Sequence, residues 1–135
     1  MALVATVLAL LTSACLSTGQ TTVLNEMNAD RSSNRLRTLP THPELDAKAQ
    51  AWAEKLARDN RLSHSRVQSG APSCWRSLGE NVGYGRSVSS IEDAYMASAG
   101  HRANILDSRW DYVGVGHATR GGRVFTVQVF MQGCR

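Results

Sequence analysis

The segment from Val124 to Met131 constrains the fold more than any other part of the chain. Apolar or nearly apolar side chains occupy almost every position, and Gln128 is the exception. A strand with one solvated face alternates apolar and polar residues, whereas a strand that is covered on both faces does not. The pattern therefore predicts a strand inside a sheet that has helices on both sides.

Two shorter signals indicate how the sheet is built. Valine and glycine alternate from Val113 to Gly116, which is typical of a strand, and Gly121-Gly122 is a hairpin signal. Helical patterns come before these strands. We therefore predict an α+β fold, a three-layer α-β-α sandwich with a mostly antiparallel central sheet.

Periodic apolar residues and start signals indicate the helices. One helix is predicted from Val23 to Asn34, and a second begins with a capping box of Thr41 and Glu44, with Pro43 in its first turn. The second helix is expected to end near Asn60. Its core-facing stripe is Leu45, Ala49, Trp52, Ala53, Leu56 and Ala57.

The middle of the chain alternates loops with short elements. Residues 68–77 predict a loop, and the glycine-rich residues 78–85 are expected to be partly extended. Serines at 87–90 can cap a short helix that ends near Gly100. A further helical turn or two is predicted from His101 to Leu106.

The N-terminus is predicted to be a targeting segment. Residues 2–11 are apolar apart from Thr6, a run that is too short to span a bilayer and is typical of a signal peptide. Ser13 and Ala14 before Cys15 resemble a lipoprotein box, so lipidation of Cys15 and ordinary cleavage both stay open. We assign residues 1–14 to the signal, 15–22 to a tether and 23–135 to the domain. Both routes place the domain outside the cytoplasm, with a membrane contact only through a lipid on Cys15.

The cysteines fit an exported protein. The chain has three, and if Cys15 serves as an anchor, Cys74 and Cys134 are left as a pair. In an oxidising compartment such a pair most simply forms a disulfide. We therefore predict a bridge from the loop before Gly79 to the C-terminus.

Charge argues against nucleic acid as a partner. The formal net charge is +4, but the basic residues are scattered and form no run or stripe. We interpret the basic residues as solvated surface residues, which is favoured over a dedicated anion-binding site. We expect a monomer.

Three residues are the candidates for chemistry: His64, Glu80 and His101. They could hold a divalent metal such as zinc with an open position for water, or form a general acid–base pair. A simple hydrogen bond between His64 and Glu80 in a polar cleft is the alternative, since isolated residues form no specific motif.

Serine chemistry has weak support. Ser63 and Ser65 flank His64, and Ser98 lies three residues before His101. The chain has no G-x-S-x-G elbow, and neighbouring side chains on an extended segment point apart. A serine hydrolase is therefore disfavoured.

Several segments in a fixed order resemble the CAP superfamily (cysteine-rich secretory proteins, antigen 5 and pathogenesis-related proteins), and most closely its compact bacterial secreted branch. The resemblance covers about residues 23–131 and implies an α-β-α sandwich. The segments are Asn28-Ala29-Asp30-Arg31, the helix from Leu45 to Ala57, Leu62-Ser63-His64-Ser65, Gly79-Glu80-Asn81-Val82-Gly83, His101 to Leu106, Tyr112 to Gly116 and Phe125 to Phe130.

The resemblance implies a cleft with two histidines and two acids, which binds zinc or magnesium in some members. His64 and His101 match the histidines and would be the metal ligands, and Glu80 matches the first acid. The second acid would fall at Ser98, a departure from the family pattern. Glu92 or Asp93 could replace it only if the helix turns them inward.

Family membership does not fix an activity. The expected function is binding of a small ligand, lipid or envelope component in the cleft, with Ser98, Asn81 and Asn104 as further ligand contacts. A metal-assisted hydrolase that uses His64, Glu80 and His101 is the first alternative. A structural or adhesive envelope protein is the second.

Overall fold

The computed structural model describes residues 15–134. The elements are α1 (Thr18–Ser33), α2 (Pro43–Asp59), β1 (Trp75–Gly85), α3 (Val88–Ala97), α4 (Ala99–Ile105), β2 (Tyr112–Arg120) and β3 (Arg123–Gly133). The signal assigned to residues 1–14 lies outside the described residues. Within residues 15–134, no helix combines the length and the apolar character that crossing a bilayer requires.

The strands form one antiparallel sheet in the order β1-β3-β2, with β3 in the centre. The turn between β2 and β3 is made by Gly121 and Gly122, both at positive φ (+54° and +76°), a conformation that glycine adopts without strain. The predicted hairpin and central strand are therefore confirmed.

The sheet has a helical layer on each face, as the fold prediction required. Phe125, Val127 and Val129 on β3 pack in one buried cluster with the apolar stripe of α2. Phe130 and the β2 valines pack on the other face with residues of α1, α3 and α4. The α+β sandwich is thus built from α2, the sheet and a second layer of three helices.

The first helix begins earlier than the sequence predicts. α1 starts at Thr18, and Ser17 and Gln20 form a capping box there. The Gln20 side chain also donates a hydrogen bond to the Val115 carbonyl at 2.8 Å and is buried. The tether prediction is therefore wrong for residues 18–22, because their polar side chains cap and anchor a helix.

The predicted cap of α2 is also displaced. His42 is the N-cap, and its Nδ1 accepts a hydrogen bond from the Glu44 backbone N–H at 3.3 Å. Thr41 instead forms a bridge with Val113 of the sheet, which keeps its backbone extended. The helix ends as predicted, with Asn60 as its left-handed C-cap. Trp52 is the one member of the predicted stripe that is not buried.

The first strand begins inside the segment that the sequence predicts as a loop. Trp75 pairs with Gly133, and an irregularity in register follows before Ser77. The predicted disulfide between Cys74 and Cys134 is confirmed and joins the chain beside this pair. Pairing with β3 therefore extends β1 to the disulfide.

Candidate functional site

The best-defined polar contact of the predicted site joins His64 to Glu80. The chain leaves α2 at Asn60 and returns toward the sheet edge through residues 61–66, while Glu80 lies in the middle of β1. His64 Nδ1 is 2.8 Å from Glu80 Oε1. The backbone N–H of Ser65 donates to the same oxygen at 2.9 Å, and the Ser65 hydroxyl donates to Oε2. Each carboxylate oxygen is therefore satisfied.

The two partners differ sharply in exposure. The side chain of Glu80 is 4% exposed, whereas that of His64 is 64% exposed. A buried carboxylate is tolerated because hydrogen bonds replace its lost water. The contact occupies Nδ1 of the imidazole, so Nε2 is the nitrogen that remains for a ligand.

Lys48, which is not among the predicted site residues, completes the surroundings of Glu80. Its Nζ donates to Ser65 Oγ at 3.1 Å and to the Arg66 carbonyl at 2.9 Å. Burial lowers the pKa of Lys48, and the charge of Glu80 opposes that shift. One feature of the sequence could have indicated Lys48. It lies one helical turn before Trp52, on the side of α2 that residues 61–66 cover.

A shallow cavity of about 280 Å³ opens at this contact. Val67 and Leu78 give it apolar walls. Its lining residues are His64, Ser65, Val67, Leu78, Gly79 and Glu80. The cavity thus combines an imidazole with apolar surface.

His101 lies nearby but makes no hydrogen bond with His64 or Glu80 in the described part of the chain. Its ring packs against Tyr95 with 5.0 Å between the centroids. Burial lowers the pKa of His101, and the charge of His64 adds to that effect. The structure therefore brings His64 and Glu80 into contact, while His101 joins them through electrostatics alone.

The alternation of side chains along β1 explains this division. Glu80 pairs with Val129, whose side chain belongs to the cluster on the α2 side. Asn81 comes next in the strand and therefore points to the opposite face. Its amide N–H groups donate to the His101 carbonyl at 3.2 Å and to Gln128 Oε1 at 3.0 Å.

Asn81 and Asn104 brace the structure. Asn81 is fully buried, and its Oδ1 accepts a hydrogen bond from Asn104 Nδ2 at 3.0 Å. Asn104 Nδ2 also reaches the Glu80 carbonyl at 3.3 Å. A ligand contact by either amide would require these internal bonds to break.

The position expected for the second acid lies at a helix junction. Ser98 lies between the two helices, as the C-cap of α3 and the N-cap of α4, and its side chain makes no capping hydrogen bond. Glu92 does turn inward and is 3% exposed, but it accepts a hydrogen bond from Gln128 Nε2 at 2.7 Å. Glu92 therefore belongs to the polar network on the far face of the sheet from His64.

The described residues do not assemble a complete metal site. Across residues 15–134, no group of three or more His, Cys, Asp and Glu side chains lies close enough together to hold a metal ion. The Glu80 carboxylate already accepts three hydrogen bonds, which leaves the two histidines as the candidate metal ligands. Zinc or magnesium at His64 and His101 stays a prediction.

A bacterial protein of similar sequence extends well beyond the length of this chain. YkwD of Bacillus subtilis (strain 168) is 28% identical over 115 residues, which cover 78% of this chain and 44% of that protein. The chain thus spans less than half the length of this relative.

Two solved structures share the fold. An outer surface protein of Borrelia burgdorferi has a TM-score of 0.77 at 17% identity, over 88% of this chain and 97% of that one. An extracellular protein of Bacillus anthracis with an SCP domain has a TM-score of 0.72 at 22% identity, over 89% of this chain and 45% of that one. The model of the cysteine-rich secretory protein family, CAP, matches residues 24–131, and the chain therefore belongs to the CAP family.

Proposed function

We propose that this CAP domain works outside the cytoplasm and binds a small ligand, lipid or cell-envelope component at His64 and Glu80. The observation that carries the proposal is an exposed imidazole held by a buried carboxylate. Such a carboxylate fixes the orientation of the ring, so the free nitrogen meets a ligand with little loss of side-chain freedom. The apolar wall beside it provides a surface for the body of the ligand.

Four features support the extracytoplasmic location. Residues 2–11 have the composition of a signal peptide, and the Cys74–Cys134 disulfide needs an oxidising compartment to persist. The related structures from Borrelia burgdorferi and Bacillus anthracis are named as an outer surface and an extracellular protein. Cys15 is free and exposed, as lipidation would require.

Binding is favoured over hydrolysis because no serine of residues 15–134 forms a hydrogen bond with a histidine side chain, so the described residues contain no Ser–His pair. The Ser65 hydroxyl instead donates to Glu80 and accepts from Lys48. A metal-assisted reaction would need further ligands beyond His64 and His101. We therefore treat metal binding as secondary to ligand binding, with the ion bound through His64 Nε2.

The test is a binding screen of the purified chain against lipids and cell-wall fragments, with and without zinc. We expect at least one ligand whose binding is lost in His64→Ala and kept in Gln68→Ala, an exposed control position in the next turn. A screen that finds no such ligand would count against the proposal and favour a structural or adhesive role.

A further inference from the structure

A basic groove runs beside His64, between α2 and residues 61–70, and has a volume of about 550 Å³. Its charged and aromatic lining residues are Lys48, Trp52, Lys55, Arg58, His64 and Arg66. We propose that this groove binds the phosphate groups of the ligand. The inference rests on the proposed binding function at His64 and names the chemical class of the ligand.

The fold concentrates basic residues that the sequence scatters. Lys48, Lys55 and Arg58 follow one another at seven and three residues, which places them along one side of α2. Arg66 comes from the loop on the opposite wall. The residues that line the groove include no Asp or Glu, so the lining carries a net positive charge. Asp59 and Glu80 contact the lining through Lys55, His64 and Ser65.

Two of these four cations are free to bind a ligand. Lys55 is ion-paired with Asp59, and Lys48 holds Ser65 and the Arg66 carbonyl. The guanidinium groups of Arg58 and Arg66 make no ion pair or side-chain hydrogen bond with any other residue of 15–134, and both residues are exposed. A guanidinium group presents paired N–H donors that match the oxygens of a phosphate.

The size of the groove favours a phosphate carried on a larger body over a lone ion. Trp52 is half-buried, and its Nε1–H donates to the Ser63 carbonyl at 2.8 Å, which fixes the indole ring in the wall. This ring and the apolar stem of Lys55 offer surface to the rest of a phosphate ester. A phospholipid headgroup and a soluble phosphate share this chemistry, so the experiment includes both.

The experiment uses the full chain and two probes, inorganic triphosphate by calorimetry and vesicles of phosphatidylglycerol with phosphatidylcholine by sedimentation. The test variant is Arg58→Gln/Arg66→Gln. The control, Arg76→Gln/Arg86→Gln, removes the same charge from exposed positions outside the groove. We expect the test variant to weaken binding of at least one probe by about tenfold or more, and the control by less than about twofold.

Each possible outcome either supports or overturns the proposal that the groove binds phosphate. Equal weakening in both variants, or no binding of either probe by the wild type, overturns the inference. A neutral ligand that is lost in His64→Ala but kept in the groove variant also overturns it, while the proposed function survives. Phosphate binding that needs the two arginines but not His64 supports the groove and removes His64 from the site.

Discussion

His64 and Glu80 lie 2.8 Å apart, yet one side chain is 64% exposed and the other is 4% exposed. The pair therefore connects the interior to the surface at a single hydrogen bond. Glu80 also receives the backbone N–H and the hydroxyl of Ser65, so it organises the chain between α2 and β1. Its role in the fold and its role in the site can be separated by mutation.

Replacing Glu80 by Gln should destabilise the protein, whereas His64→Ala should not. The amide loses the charge that strengthens three hydrogen bonds in a buried place, and we expect a loss of about 1–3 kcal/mol in the free energy of unfolding. The exposed His64 should contribute less than about 1 kcal/mol. Urea denaturation of the two variants measures both values. Equal losses in the two variants would contradict this division of roles.

The Cys74–Cys134 disulfide should stabilise the domain by restricting its unfolded state. The bridge spans 60 residues of sequence and fixes the start of β1 against the end of β3. Replacing both cysteines by Ser should lower the free energy of unfolding by about 2–4 kcal/mol. Thermal unfolding with and without reductant measures the effect, and Cys15→Ser, at an exposed free thiol, is the control. A double variant as stable as the control would refute the prediction.

Gly114 and Gly116 set the distance between β2 and α2. A Cβ at Gly114 would lie 2.3 Å from the Leu45 backbone, and one at Gly116 would lie 2.1 Å from the Ala49 carbonyl oxygen. Backbone cannot move aside as a flexible side chain does, so Gly116→Ala should cost about 2–3 kcal/mol or more. Gly100→Ala is the control, because a Cβ there has open space within 4 Å. Chemical denaturation should show a loss in the first variant and none in the second.

These glycines also illustrate how far the sequence could lead. Alternating valine and glycine predicted a strand. The run from Val124 to Met131, apolar or nearly so except at Gln128, predicted that β3 is covered on both faces, because such a strand lacks the usual alternation of apolar and polar residues. Because Gly114 and Gly116 have no Cβ atoms, α2 can lie close to β2. This close contact follows only from the packing of two elements that are distant in the sequence. Local patterns give the elements, whereas the close approach depends on the tertiary fold.

The site shows the same limit. Sequence could select His64 and Glu80, but their contact depends on how residues 61–66 return to the sheet edge. The position of Asn81 on the opposite face follows from strand alternation, yet its hydrogen bond to Gln128 could not be anticipated from a separation of 47 residues. Lys48 was missed because a single lysine on an amphipathic helix is normally a solvated residue. The basic groove was missed because its members come from two elements.

The last prediction concerns Glu92, a buried acid of the polar network on the far face of the sheet. Burial raises the pKa of Glu92 to about 8, and the charges of Asp30 and Glu26 add to the shift, while the hydrogen bond from Gln128 opposes it. Its Oε1 has no hydrogen-bond partner within residues 15–134. A proton on that oxygen would make it a donor toward Asp30, whose own pKa burial also raises.

Because the folded state holds this proton more tightly than the unfolded state, the free energy of unfolding should fall as pH rises from about 4.5 to 8. The slope from this group is at most about 1.4 kcal/mol per pH unit and vanishes outside that range. Burial lowers the pKa of His101 and His117, so these two groups make the free energy of unfolding fall as the pH falls through the ordinary histidine value, which is the opposite of the effect of Glu92.

The difference between wild type and Glu92→Gln isolates the carboxyl group. We expect the variant to be the more stable protein at a pH above about 8 and to lose this slope, while Asp93→Asn, at the exposed neighbouring position, keeps it. Urea titrations at several pH values test this, and identical slopes for wild type and Glu92→Gln would show that Glu92 ionises in the folded protein without cost.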